Sequence, residues 1–400
     1  MHPSLGAGRP KDPRGTAARK KGNALPETPD GNARGASRGV PAAPLPAVVL
    51  ANGHFADSWA KTAHGLVRGS RRFRVVGVVD PSCAGADAGE LLDGHKRSIP
   101  IFASLAEAAA QATPRPRACV IGVATEGGVL PKELRGELLH AADLGLQLVN
   151  GLHQLLGDDA ELAARCRASG AEIIDIRRPR RFSELAFWSG RIRELEIPRI
   201  ALLGTDCALG KRTTAGLLLE ALRGRGITAD MVYTGQTGWL QGYAHGFLFD
   251  ATPNDFVSGE LERAVLECAA ATHPQLILLE GQSSLRNPSG PCGAEFLLSA
   301  GARHVVLVHA PAREIFDGSE ELPGGGWPIP PLAEELELIR LYGAETLAIA
   351  LNTQRLDAEA IARHRAAIER ETGLPTFLPL GGSLDGLVDR IVERVLRKRS

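Results

Sequence analysis

One short stretch of this 400-residue chain carries most of its legible chemistry: Gly204-Thr205-Asp206-Cys207-Ala208-Leu209-Gly210-Lys211-Arg212-Thr213-Thr214. Two glycines let a backbone come close to an anion, the amides of such a loop converge on one point, and a helix beginning there adds partial positive charge. Lys211 supplies a full charge for a terminal phosphate. The flanks support this use over a purely structural glycine turn: Arg199 to Leu203 reads as a strand, and Thr213 to Leu222, rich in Leu and Ala, reads as a helix. The sequence therefore predicts a loop that binds the polyphosphate of a nucleotide or nucleotide-like cofactor. Five residues separate the glycines instead of four, and Arg212 stands where Ser or Thr would hold magnesium. Thr213 comes one position later, about 100° further round the helix. The planar fork of Arg212 can meet phosphate directly, and no protein-held metal is expected.

Further polar groups fall where other strands end, and in open parallel sheets sites collect at the carboxyl ends of strands. Glu280 closes the run Gln275 to Leu279 and leads into Gly281-Gln282-Ser283-Ser284. It suits a general base or a second metal ligand; the structural alternative is a buried carboxylate capping a turn. Gln236 and Thr237 offer neutral hydrogen bonds to a substrate, and His309 and Asn352 each follow an apolar run. Asp255, Glu260 and Glu262 fit either the site or the solvated start of a helix. Arg177, Arg286 and Arg313 would each suit a substrate carboxylate through bidentate pairing. Earlier in the chain, Asn52-Gly53-His54 and Asp80 imitate a dinucleotide fold, but the three-glycine fingerprint is missing, which argues against nicotinamide binding. Gly122 to Gly128 and Asn150-Gly151-Leu152-His153 are better placed to meet substrate, with a structural role as the alternative.

Positioning these groups takes parallel sheets. Short β-branched runs alternate with helical stretches, the pattern of strands joined by crossover helices. Residues 45–190 give five such strands and a Rossmann-like domain; 191–400 give five more and a second α/β domain built on the phosphate loop, ending in a helix from Leu384 to Leu396. Residues 1–44 are rich in Gly, Pro, Ala and basic residues and nearly lack β-branched and aromatic ones, so a disordered basic tail is expected.

Composition narrows the function. Lys plus Arg equals Asp plus Glu at 46 each, so no net field favours nucleic acid or an anionic membrane. Six cysteines lie far apart without a C-x-x-C pair, which argues against a zinc knot and a disulfide framework. No run reaches the ~18 apolar residues of a membrane span, and the basic N-terminus lacks a secretory apolar stretch. A cytoplasmic homo-oligomer acting on a small molecule is expected.

The loop spacing and the Thr205-Asp206 pair resemble dethiobiotin synthetase and cobyrinic acid amidating enzymes, which bind ATP, and Glu280-Gly-Gln-Ser resembles a Glu-Gly-Ala-Gly segment of the former. The wider ordered set is more specific. Gly151-Leu-His153, Asp175-Ile-Arg177, Gly204 to Thr213, Thr234-Gly-Gln-Thr-Gly238, Glu280 to Ser284, His309 and Asn352-Thr353 together look like a bacterial family of unknown function that includes D-glutamate N-acetyltransferases. That resemblance, over about residues 46–395, implies a Rossmann-like domain followed by a P-loop domain. It also implies transfer of an acetyl group from acetyl-CoA to the amino group of a D-amino acid, for later oxidation by a dehydrogenase. On this reading Gly204 to Thr214 hold the cofactor, with Lys211 and Arg212 on its phosphates. Glu280 or His309 serves as base, and Gln236, Thr237, Gln282, Ser283, Ser284 and Asn352 meet the substrate. The alternatives are a ligase or kinase using ATP with Mg2+, and a nucleotide-binding regulator without chemistry.

Overall fold

Helices cover both faces of each sheet, so the central strands are apolar on both sides rather than alternating. Val48, Val49 and Leu50 are fully buried, as are Leu276 to Leu279. In the computed structural model, which describes residues 33–34, 40–320 and 322–397, every strand pairing is parallel. The first sheet comprises β1 (Ala33–Arg34), β2 (Leu45–Leu50), β3 (Phe73–Val79), β4 (Ile101–Phe102), β5 (Ala118–Ile121), β6 (Gln147–Asn150) and β7 (Ile173–Asp175). The second comprises β8 (Arg199–Gly204), β9 (Ala229–Tyr233), β10 (His245–Gly246), β11 (Leu276–Glu280), β12 (His304–His309), β13 (Glu345–Leu351) and β14 (Thr376–Phe377).

The first sheet runs β1-β7-β6-β5-β2-β3-β4, so chain direction across the sheet reverses between β2 and β5 as in a doubly wound dinucleotide fold. The second runs β10-β9-β11-β8-β12-β13-β14. This order matters for the site, because β8 lies between β11 and β12. Registers of Glu280 with Leu202 and of Val308 with Gly204 bring the ends of all three strands together. The loop after β8 must therefore emerge between Glu280 and His309.

Each domain has two strands more than the five expected. The additions β1, β4, β10 and β14 are two-residue edge strands, too short to show a periodic pattern. Ala33–Arg34 falls within the stretch read as a disordered tail and pairs with Ile173–Ile174; the rest of that stretch up to residue 39 lies outside the described residues. The expected closing helix is Asp385–Ile391, followed by a wider π-helical turn over Val392–Leu396.

The connection between the sheets is held by two carboxylates that the sequence left open between the site and a solvated helix start. Glu260 and Glu262, on the helix Asn254–Thr272, are almost fully buried. Glu260 accepts from Arg180 Nη1 at 2.6 Å and from Ala186 N at 2.9 Å, and Glu262 accepts from Ser189 N, Ser189 Oγ and Ile192 N. They clamp residues 180–192 against the second domain. Gly259 makes this approach possible: a Cβ there would sit 2.0 Å from Ala186 O. Gly259→Ala is expected to lower unfolding stability by roughly 1–3 kcal/mol, by forcing backbone from backbone. Urea denaturation of the variant beside the parent checks this.

Candidate functional site

The phosphate loop folds around a buried aspartate. Asp206 is fully buried; its Oδ1 accepts from Cys207 N at 2.6 Å and Asn287 Nδ2 at 3.0 Å, and its Oδ2 from Arg313 Nη1 at 2.9 Å and Asp317 N at 2.8 Å. One carboxylate thus ties the loop to the segment after β11 and to the segment after β12. The loop turns through Ala208 at φ 51° and Gly210 at φ 95° into the helix Lys211–Gly224. A Cβ on Gly210 would meet nothing within 4 Å, so the backbone at the helix entrance faces open space. Thr214 N begins the helical ladder by donating to Gly210 O at 2.8 Å.

Lys211 lies back over the loop. Its Nζ donates to Asp206 O at 2.6 Å and Ser283 O at 2.7 Å, and its side chain lies 3.1–3.3 Å from where a Gly204 Cβ would be. Burial holds the ammonium pKa below its ordinary value, against neighbouring acidic groups that raise it. A cation held by two neutral carbonyls is what an incoming phosphate can recruit.

Thr205 and His309 meet on the other side of the loop, with Oγ1 3.1 Å from Nδ1. Burial, aided by His364, lowers the His309 pKa to about 4, so its ring is neutral across the physiological range. Asn352 Nδ2 donates to Leu209 O at 3.0 Å, and its backbone N to His309 O, fixing the loop to the ends of β12 and β13. Cys207 Sγ lies 3.4 Å from Ser283 Oγ; Ser283 has φ 37°, and the Ser284 hydroxyl is buried without a hydrogen-bond partner. Loop, His309, Asn352 and Ser283 therefore form one cluster, with Ser284 next in the chain.

Other sequence-predicted residues are engaged in different contacts. Glu280 is buried and accepts from Thr234 N at 3.0 Å, while Gln282 Nε2 donates to Thr234 Oγ1 at 2.9 Å. Burial raises the Glu280 pKa, with the Arg212 charge and the Thr234 and Gly235 amides opposing. Glu280 braces the turn after β9, the structural reading weighed above. Arg212 faces the domain interface: Nη1 donates to Gln241 Oε1 and Nη2 to Thr213 Oγ1, next to Gly65 of the first domain. Burial lowers its pKa, and Glu280 opposes. Thr237 packs its methyl on the same Gly65, and Gln241 Nε2 donates to Gly65 O at 2.7 Å.

Gln236 also faces the first domain, and shows a pair the sequence hid. Arg177 grips Asp250 with Nε at 3.0 Å and Nη2 at 2.6 Å, and Nη2 also donates to Gln236 Oε1 at 2.8 Å. His153 Nε2 is 3.8 Å from Asp250 Oδ2, and Gln236 packs on Gly151. Three motifs far apart in sequence converge here, and Asp250 is the member with no signal of its own. The arginines offered for a substrate carboxylate are already paired: Arg177 with Asp250, Arg286 with Glu334 and Glu335, Arg313 with Asp206. Asp80 is likewise engaged, accepting from Phe55 N and from Ser82 N and Oγ. All six cysteines are free thiols, four of them buried. No helix among the described residues is long and apolar enough to cross a membrane.

A Rossmann-like domain joined to a parallel-sheet P-loop domain, with site groups at the strand ends of both, defines the class of protein. The chain matches two family models: the "Domain of unknown function (DUF1611_C) P-loop domain" over residues 186–388 and the "Domain of unknown function (DUF1611_N) Rossmann-like domain" over 81–179. The chain belongs to this DUF1611 family. It is similar to a D-glutamate N-acetyltransferase of Tritonibacter scottomollicae, 32% identical over 280 residues, covering 68% of this chain and 80% of that one. One from a Pseudoalteromonas species is 29% identical over 275 residues, covering 67% and 79%. The crystal structure of a DUF1611 family protein from Anabaena variabilis superposes with a TM-score of 0.78 at 30% identity, covering 88% of this chain and all of that one.

Asp206→Ala is expected to cost about 3–5 kcal/mol, because it leaves Arg313 without its buried partner; guanidinium denaturation measures it. The His309 shift fixes a pH dependence. With a folded pKa near 4 and an ordinary value of 6.5, the unfolded chain takes up the proton first. This contribution is complete above pH 6.5 and is lost as pH falls toward 4, by at most about 1.4 kcal/mol per unit. His309→Asn is expected to flatten the acid limb of a stability-against-pH profile in that window.

Proposed function

We propose that this chain transfers an acetyl group from acetyl-CoA to the amino group of a D-amino acid such as D-glutamate. The observation that carries the reading is a phosphate loop with an arginine at the metal-ligand position, in a chain whose relatives carry the name D-glutamate N-acetyltransferase. The donor set fits a diphosphate. Lys211 lies beside open backbone at Gly210, and the start of a 14-residue helix adds its partial charge. Bound there, coenzyme A would supply the thioester acetyl group.

The chain's own residues then have separable tasks. Lys211 and the amides from Ala208 to Arg212 hold phosphate, and Arg212 adds charge from the interface side without a metal. Thr205 engages His309 at Nδ1 and leaves Nε2 to accept a proton from the amine. His309 suits this better than Glu280, whose carboxylate is tied to the turn at Thr234. As the C–N bond forms and the C–S bond breaks, the proton held at Nε2 is available to the departing thiolate. The Arg177–Asp250–Gln236–His153 cluster faces the amino-acid side and sets how the domains meet around it.

Calorimetric titration with acetyl-CoA, and separately with ATP plus magnesium, tests this, paired with a thiol-release assay on D- and L-glutamate. Acetyl-CoA is expected to bind, at least tenfold more weakly in Lys211→Ala, with thiol release dependent on the D-amino acid and reduced at least 100-fold in His309→Asn. Turnover of Mg-ATP would replace the reading with a ligase or kinase. Affinity without turnover on any amino acid would replace it with a regulatory nucleotide binder.

A further inference from the structure

At the β10 edge of the second sheet, away from the phosphate loop, three side chains bearing metal-ligating atoms meet. Asp230 on β9, His245 on β10 and Cys268 on the helix Asn254–Thr272 each offer one ligand atom, and the three atoms lie within 4.8 Å of one another. Sheet register produces the meeting. His245 pairs with Val232, so its side chain shares a face with Val232 and with Asp230, two residues back along β9. Val232 packs in the same apolar cluster as Leu261, Ala264, Val265 and Cys268, so this is the face the helix covers. Gly246 brings the edge strand in tightly: a Cβ there would lie 2.2 Å from Tyr233 O.

We propose that Asp230, His245 and Cys268 form a zinc site. Thiolate, imidazole and carboxylate are a donor set that favours zinc over magnesium or calcium. Tetrahedral zinc, with ligand bonds of about 2.0–2.3 Å, wants donors about 3.4–3.7 Å apart, and small side-chain rotations close the difference. Asp230 Oδ1 is engaged by Met231 N at 2.8 Å and lies 3.6 Å from Arg223 Nη2, which orients the carboxylate and leaves Oδ2 for the ion. The His245 ring makes no hydrogen bond among the described residues. A cavity of about 1130 Å³ reaches His245 but neither Asp230 nor Cys268, so a fourth ligand such as water would come from the His245 side. Zinc must displace the thiol proton, so binding tightens as pH rises. The ion would pin the two-residue strand β10 to the helix, and β10 leads directly to Asp250, the partner of Arg177.

Untagged full-length protein, stripped with chelator and titrated with Co2+ and then Zn2+, tests this. One equivalent of cobalt is expected, with a near-ultraviolet thiolate charge-transfer band that zinc abolishes by displacement. The band should vanish in Cys268→Ser and persist in Cys83→Ser. His245→Ala, a change at a half-buried edge position, should weaken binding at least tenfold and decides the matter if the buried Cys268 variant fails to fold. Zinc should also raise the melting temperature of the parent and not of His245→Ala. A parent protein without the band, or a band of equal affinity in His245→Ala, overturns the proposal.

Discussion

The buried carboxylate of Asp206 is the constraint on which the site depends. A charge taken wholly out of water is tolerated only when its oxygens are filled by donors. Here Cys207 N, Asn287, Arg313 and Asp317 N fill them. Those donors come from the loop itself and from segments following β11 and β12, so satisfying one residue fixes the relative position of three strand ends. Lys211, folded onto Asp206 O, takes its place within the same frame.

The two domains are joined by polar contacts as much as by packing. Arg212 and Gln241 reach the first domain at Gly65, and Arg177 reaches the second at Asp250 and Gln236. Ser70 and Arg72 add bonds to the carbonyls of Leu240 and Trp239, with the Arg72 guanidinium stacked 3.8 Å from the buried Trp239 ring. Arg212 thus belongs to the phosphate loop by sequence and to the domain interface by geometry. That position explains how a P-loop can lack the hydroxyl that normally carries magnesium and keep a positive charge near Glu280.

Much of this was legible in the residues. Long β-branched runs announced ten strands, and the glycine loop between the Arg199–Leu203 strand and the following helix announced a P-loop domain, because both signals are local in sequence. What escaped was made by tertiary contact. The edge strands β4, β10 and β14 span two residues each and carry no period. Glu260 and Glu262 fitted either the site or the solvated start of a helix, and neither reading foresaw the linker that folds onto them. Arg313 looked available for substrate because Asp206 lies more than a hundred residues away in sequence. Asp230, His245 and Cys268 have no motif spacing, since sheet register and helix position, not chain distance, bring them together.

Amide hydrogen exchange across Gly204 to Thr214, with and without coenzyme A, tests the central claim most directly. Coenzyme A is expected to slow exchange at the amides from Ala208 to Thr213 without magnesium, and the protection to disappear in Lys211→Ala. Exchange there that is indifferent to coenzyme A, or that slows only with ATP and magnesium, would contradict it.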